Sequence, residues 1–215
     1  MEWQELADLP FAAALVPHKG TMLAGEDYDC AHFDRLTLDH ADLSGSRFLE
    51  CALTQVSFQG GKLRRARFTD VWLRDVHLTA TSLAESAWTG TLITASAFAG
   101  VDAFGAHLRT VVLRGCKLDA VNFRGAALSD VVFDNCLLRE VDFTGASLTR
   151  TAFPDCTLTG TDFTKVTLDT VDLRGAELGI IIDPGSLRGA IVTSGQLAAM
   201  AALLADSLGI TVEDQ

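Results

Sequence analysis

A hydrophobic residue returns at every fifth position along most of this chain, and that period suits neither of the regular structures a chain ordinarily adopts. Stepping by five from Leu23 one meets Tyr28, Phe33, Leu38, Leu43, Phe48, Leu53 and Phe58, and the register runs unbroken to Leu178. It holds 32 positions, 28 of them Leu or Phe, whereas only 48% of the whole chain is hydrophobic. Two residues before each centre the side chain is small, as at Ala41, Cys51, Val71, Cys116, Val121 and Cys136. The remaining positions are mostly Asp, Thr, Ser, Arg and Gly, as in VDFTG at 141–145. A helix repeats every ~3.6 residues and a strand every two or so, and neither can run along such a segment.

The period calls for a chain that turns a corner every five residues, each side pointing one large and one small side chain inward. Four sides close a coil of 20 residues, and successive coils stack as parallel strands. Strand pairing sets their separation at roughly 4.8 Å. Such a stack is held by neighbour packing on neighbour and needs a cap at each end.

These residues resemble the pentapeptide-repeat family, whose loose pattern is small, polar, Leu or Phe, polar, polar, over residues 21–182. The resemblance implies an all-β solenoid, a right-handed quadrilateral β-helix of about eight coils of 20 residues, with a short C-terminal helix. Residues 1–20 are then an N-terminal cap, in which Trp3, Leu6, Phe11 and Leu15 form a short helical or irregular piece interrupted at Pro10. Residues 183–215 are a C-terminal cap and dimerisation helix. There Asp183-Pro184-Gly185 reads as a turn, Ser194 as an N-cap and Gly209 as a stop. Leu197, Met200, Ala201, Leu204 and Leu208 share one helical face, which either closes the last coil or also pairs with a second copy.

Columns of residues at a step of 20 sort the surface. Trp72, Leu92, Val112 and Val132 make an outward apolar stripe, either a partner contact or an edge covered by the N-terminal segment. On the opposite side Asp102, Asn122, Asp142 and Asp162 form a polar ladder, which either imitates a line of phosphates or keeps that side soluble. VDAFG at 101–105 puts Ala103 where a large residue belongs, so Phe104 either turns inward through a bulge or stands exposed.

No catalytic machinery is expected. His32, His40, His77 and His107 fall in four different columns, and no phosphate loop, nucleophile elbow or HExxH occurs. Cys116, Cys136 and Cys156 share a column, but at the small inward position, where a free thiol packs as a small hydrophobe. Cys51 fits the same description, and Cys30 lies on the surface. No cofactor or metal follows from these residues.

The chain carries 28 acidic and 17 basic residues, a net charge of −11, which opposes direct binding to nucleic acid or to an anionic membrane. Residues 1–50 are at −7 and residues 151–215 at −6, while Lys62, Arg64, Arg65 and Arg67 form a basic belt between them. Acids stand in the first ten residues where a signal peptide needs bases, so a cytoplasmic protein is expected.

The tail QLAAMAALLADSLGITVED looks like the ending of the quinolone-resistance (Qnr-like) branch of the family. That likeness implies a homodimer joined through the C-terminal segment. It also implies a DNA-mimicking protein that binds DNA gyrase or topoisomerase IV and protects it from quinolones or gyrase toxins. The acidic surface to carry this is Asp102, Asp142, Asp155, Asp162, Asp169, Asp172 and Glu177. The alternative is a structural or protein-binding module with no topoisomerase role, working through the apolar stripe or a rod end.

Overall fold

The computed structural model describes residues 3–183 and 185–213, so Pro184 of the expected turn lies outside the described residues. The chain winds into a β-solenoid of about eight coils, whose four sides are here numbered in chain order. The second side is an eight-stranded parallel sheet running from Asp27–Asp29 to Thr167–Asp169, and the fourth is another, from Thr37–Asp39 to Glu177–Ile181. The third side is a seven-stranded parallel sheet that reaches Val132–Asp134 and begins with Val16–Pro17 of the N-terminal segment. The first side pairs through single-residue bridges, Asp42 to Lys62, Ser82, Asp102, Asn122, Asp142 and Asp162 in turn, until Thr161 and Asp162 join the strand Thr157–Asp162 and pair with Ile180 and Ile181. Within the coils partners stand 20 residues apart, as the columns require, whereas at the ends Val16 pairs with Ala31 and Val171 with Ala190.

Corners set this geometry. Each of the 31 positions from 25 to 175 at a step of five has a positive φ, and 20 of them are not glycine, with φ between 47° and 59°. A left-handed residue turns the chain onto the next side within one step, and its N–H then points along the rod. Cys30, Arg35 and His40 accordingly donate to Leu49, Thr54 and Gln59 of the next coil, at 3.0, 2.9 and 2.7 Å.

The axis is filled by the expected register, with Phe33, Leu43, Phe48, Leu53 and their successors buried. Aromatic rings stack at the coil spacing: Tyr28, Phe48 and Phe68 lie 5.0 and 4.8 Å apart, and Trp88 follows at 3.8 Å. Beyond Ala103 this column turns to leucine, and the rings move to the first and third sides as Phe123–Phe143 and Phe133–Phe153. At the changeover Ala103 is buried, Phe104 is 52% exposed, and a cavity of about 30 Å³ remains between Trp88, Phe98, Leu108 and Phe123. There is no bulge, because Asp102 keeps its bridges to Ser82 and Asn122.

The ends depart from expectation in three places. Leu23, the first member of the register, is 53% exposed and Met22 is buried instead. The Tyr28 hydroxyl takes the Leu23 N–H at 2.9 Å, and Ser46 Oγ donates to the Leu23 carbonyl at 3.0 Å, which holds that backbone inward and turns the side chain out. The C-terminal helix is two pieces, α1 (Ser194–Ala199) and α2 (Ala201–Ser207), jointed at Met200. Its N-cap is Thr193 rather than Ser194, because Thr193 and Gln196 form a reciprocal capping box. Gln196 Nε2 also reaches the carbonyls of Leu173 and Ala176, at 2.7 and 2.8 Å, and ties α1 to the last coil.

Replacing Ala95, an exposed corner with φ 49°, by glycine removes the left-handed penalty and is expected to stabilise the protein by about 0.5–1 kcal/mol. Ala95→Val should destabilise it by at least as much. Denaturant unfolding of the two variants beside the parent checks both directions.

Candidate functional surfaces

The filled axis leaves only the exterior for function. On the first side the polar ladder has a local cause. Asp42, Asn122, Asp142 and Asp162 each accept, through Oδ1, the backbone N–H two residues on, from Ser44, Arg124, Thr144 and Thr164 at 2.8–3.0 Å. Asp102 does the same to Phe104 at 3.2 Å and also accepts from Asn122 Nδ2 at 2.9 Å. These are Asx turns, which shape the tight sides that carry no strand. The sequence signal is Asp or Asn one place before most centres on that side, Lys62 and Ser82 being the exceptions between Asp42 and Asp162.

The remaining acidic candidates do not form a stripe. Asp162 lies on the first side, Asp169 on the second, Asp172 on the third and Glu177 on the fourth, with Asp155 at the corner between the third and fourth. Together they make a collar around the C-terminal end of the rod. Asp172 is neutralised by Arg174, whose guanidinium donates to both carboxylate oxygens at 2.9 and 2.7 Å and holds the acid below the usual carboxylate range. The other four form no ion pair among the described residues.

The middle of the rod is different. Arg114–Asp134, Arg139–Asp119 and Arg150–Asp130 are bonded coil to coil across a step of 20, and Arg124 meets Asp142 at 3.5 Å. Each pair is solvent-exposed, so it contributes little stability, yet together they cancel the field there. Hydrogen bonds from Arg150 and Ser129 bring Asp130 down to about 2.

For half of the apolar stripe the second of its two readings holds, an edge covered by the N-terminal segment. Trp72 and Leu92 are buried, not exposed, because the N-terminal segment lies along the third side with Leu9 and Phe11 packed on Ala52, Trp72 and Leu92. Short 3-10 turns at Leu6–Asp8 and Ala12–Ala14 carry it on either side of Pro10. Arg74 anchors its start through the Gln4 carbonyl at 3.2 Å and the Glu5 carboxylate at 2.7 Å. Val112 and Val132 remain half-buried, and the Trp72 Nε1–H is buried without a partner. The segment also closes the rod, since His18 sits 4.7 Å from the Phe33 ring and 5.5 Å from Tyr28.

At the other end the expected helical face divides. Met200 is buried and Leu203 and Leu204 pack on the core, while Leu197 and Leu208 are 52% and 62% exposed and Ala201 is also exposed. The split runs within α2 itself, where Leu204 packs on the core while Ala201 and Leu208 do not. Ile210 and Val212 extend the exposed apolar surface past Gly209.

The cysteines of the axis behave as small core residues. Cys51, Cys116, Cys136 and Cys156 are buried, and each Sγ points back to a main-chain carbonyl. Ser96 and Thr81 do the same with their hydroxyls in other coils. Burial pushes the Cys51 thiol up to about 11. His32 is bonded to Thr54 at 2.8 Å, and the other coil histidines do not join it.

A rod of stacked coils with a filled axis is a repeat protein that acts through its exterior. A model of the pentapeptide repeat region matches residues 16–88 and 106–180, and the chain belongs to that family. The unmatched interval contains Ala103 and Phe104. No curated protein matches the chain. Among solved structures it is similar to QnrB1, a plasmid-mediated fluoroquinolone resistance protein, at 24% identity and a TM-score of 0.48, over 92% of this chain and 95% of that one. It is also similar to HetL, involved in heterocyst differentiation regulation in the cyanobacterium Nostoc, at 19% identity and a TM-score of 0.46, over 80% and 91%. A pentapeptide-repeat protein of the Arabidopsis thaliana thylakoid lumen matches at 16% identity and a TM-score of 0.41, over 63% and 87%. No helix among the described residues is long and apolar enough to cross a membrane.

Two outcomes follow from these surfaces. Phe11→Ala should cost about 3 kcal/mol of N-terminal docking and shift tryptophan emission to the red as Trp72 meets water. Asp130 is held low only in the folded protein, so its stabilisation is full above pH ~4 and disappears as the pH falls through about 2. The melting temperatures of the parent and Asp130→Asn should therefore converge on acidification.

Proposed function

We propose that this protein is a non-enzymatic, cytoplasmic DNA mimic that binds a type II topoisomerase, DNA gyrase or topoisomerase IV, and modulates it or shields it from quinolones or gyrase toxins. The collar of unpaired carboxylates directly beside an exposed apolar end carries this reading. Two copies joined through Leu197, Leu208, Ile210 and Val212, with Met200, Ala201 and Leu204 supporting the joint, bring two collars together at the centre of a homodimer. Asp155, Asp162, Asp169 and Glu177 of both copies then present a concentrated negative field to a basic DNA-binding groove. The ladder acids Asp102 and Asp142 extend that field along the first side, although their carboxylates also make turns. The choice of topoisomerase as partner comes from the likeness of the tail to the Qnr-like branch.

The second reading, a protein-binding rod with no topoisomerase role, is favoured by the middle coils, where ion pairs leave no continuous anionic track.

The deciding experiment is gyrase supercoiling and drug-induced cleavage with purified protein titrated in. Protection or salt-sensitive inhibition should weaken about tenfold in the combined variant Asp155→Asn, Asp169→Asn and Glu177→Gln. Sedimentation should show a dimer that Leu208→Arg converts to monomer. An inert wild-type protein on gyrase and topoisomerase IV alike leaves the second reading standing.

A further inference from the structure

The surface changes sign one-third of the way along the rod. Lys62, Arg64, Arg65 and Arg67 are exposed within a single coil, and Arg47 stands beside Arg67 in the coil before it. Arg65 is bonded to Glu85 at 2.6 Å and Arg47 to Asp27 at 3.3 Å, whereas Lys62, Arg64 and Arg67 form no ion pair among the described residues. Among the nearby carboxylates, Asp42 accepts the Ser44 N–H in its turn and Asp102 accepts from Asn122 and Phe104.

The column of Arg64 continues through Ala84 and Phe104 to Arg124. Main-chain bonds stack these four in successive coils, from Arg65 N to the Ala84 carbonyl at 3.0 Å, Glu85 N to Phe104 at 2.8 Å and Gly105 N to Arg124 at 3.0 Å. Ala84, between the longer Arg64 and Phe104 in this column, is only 4% exposed, so the side chains the column offers to solvent there are Arg64 and Phe104. The Phe104 ring leans over Gly125, where a Cβ would stand 3.9 Å from it. Packing does not explain this phenylalanine. Exchanging Ala103 and Phe104 would put the large residue on the axis, as at every other repeat, and would fill the cavity there.

We propose that this surface docks a short acidic segment of a partner protein in extended form, its carboxylates on Lys62, Arg64 and Arg67 and one apolar side chain against the exposed Phe104 ring. From Arg47 to Arg124 the patch spans five coils. That is about 19 Å, the length of roughly six extended residues. The acidic N- and C-terminal regions on either side repel a longer polyanion, which favours a peptide over nucleic acid. The site is separate from the collar and does not rest on the topoisomerase reading.

Fluorescence anisotropy tests it with a labelled hexapeptide, Asp-Glu-Leu-Asp-Glu-Glu, its Leu-to-Ser counterpart, and a short oligothymidine. The leucine peptide should bind the full-length protein, and the double variant Arg64→Glu with Arg67→Glu should weaken it about tenfold. Phe104→Ser should weaken the leucine peptide about threefold and leave the serine counterpart unchanged. These positions are exposed, and unchanged melting of each variant confirms that the rod is intact. The proposal fails if the parent does not bind at peptide concentrations of about 1 mM, if the charge-reversed variant binds equally well, or if the oligothymidine binds more tightly than the peptide.

Discussion

Everything in this molecule depends on a left-handed corner that recurs without exception from Gly25 to Gly175. For a residue with a side chain that conformation costs about 1–2 kcal/mol, and 20 corners incur it. A single coil has no means of offsetting such a sum. The corner N–H groups find their carbonyls only in the next coil, and the inward side chains find their neighbours only above and below. Strain is local, whereas the compensation is shared between coils, so the ends, which lack a neighbour, are where the pattern gives way. Met22 replacing Leu23, His18 against Phe33, and Gln196 bonded to the last coil are all solutions to that boundary.

The interior was legible because one side chain in five has a single possible direction once the corners are accepted. Phe48, Leu53 and Phe58 are buried where the period puts them, and the thiols of Cys116 and Cys136 occupy the small inward place. The exterior was less legible. An aspartate at the place before a centre reads as surface charge, yet Asp142 and Asp162 spend an oxygen on the turn that follows. Trp72 and Leu92 read equally as a partner contact or an edge under the N-terminal segment, because nothing in a repeat decides which segment lies across it. The split of the helical face was invisible for a related reason: a periodic pattern marks which residues share a face, not how much of that face the rod end covers.

Charge on the rod follows the same vertical logic as packing. Residues 20 apart are neighbours, so an arginine and an aspartate in one column neutralise each other, as Arg114 and Asp134 do. Columns that hold one sign, or stop at a coil with no partner beyond, keep their field. The collar near the C-terminus and the basic belt near Arg64 are therefore consequences of column order more than of overall composition, and they face outward on the same scaffold with opposite preferences.

The replacement at Ala103 has a mechanical consequence. On the N-terminal side of it the stacked rings follow one line, Tyr28 to Trp88; on the C-terminal side they follow two others, beginning at Phe123 and Phe133. Between them lies the layer with the void, where a small Ala103 stands in place of a large axial side chain. A stack linked in series parts at its weakest joint. Heat or pulling force should divide this rod there into two blocks, each cooperative within itself, so that the molecule opens as two cylinders hinged at one layer and not as a coil unwinding from its tip.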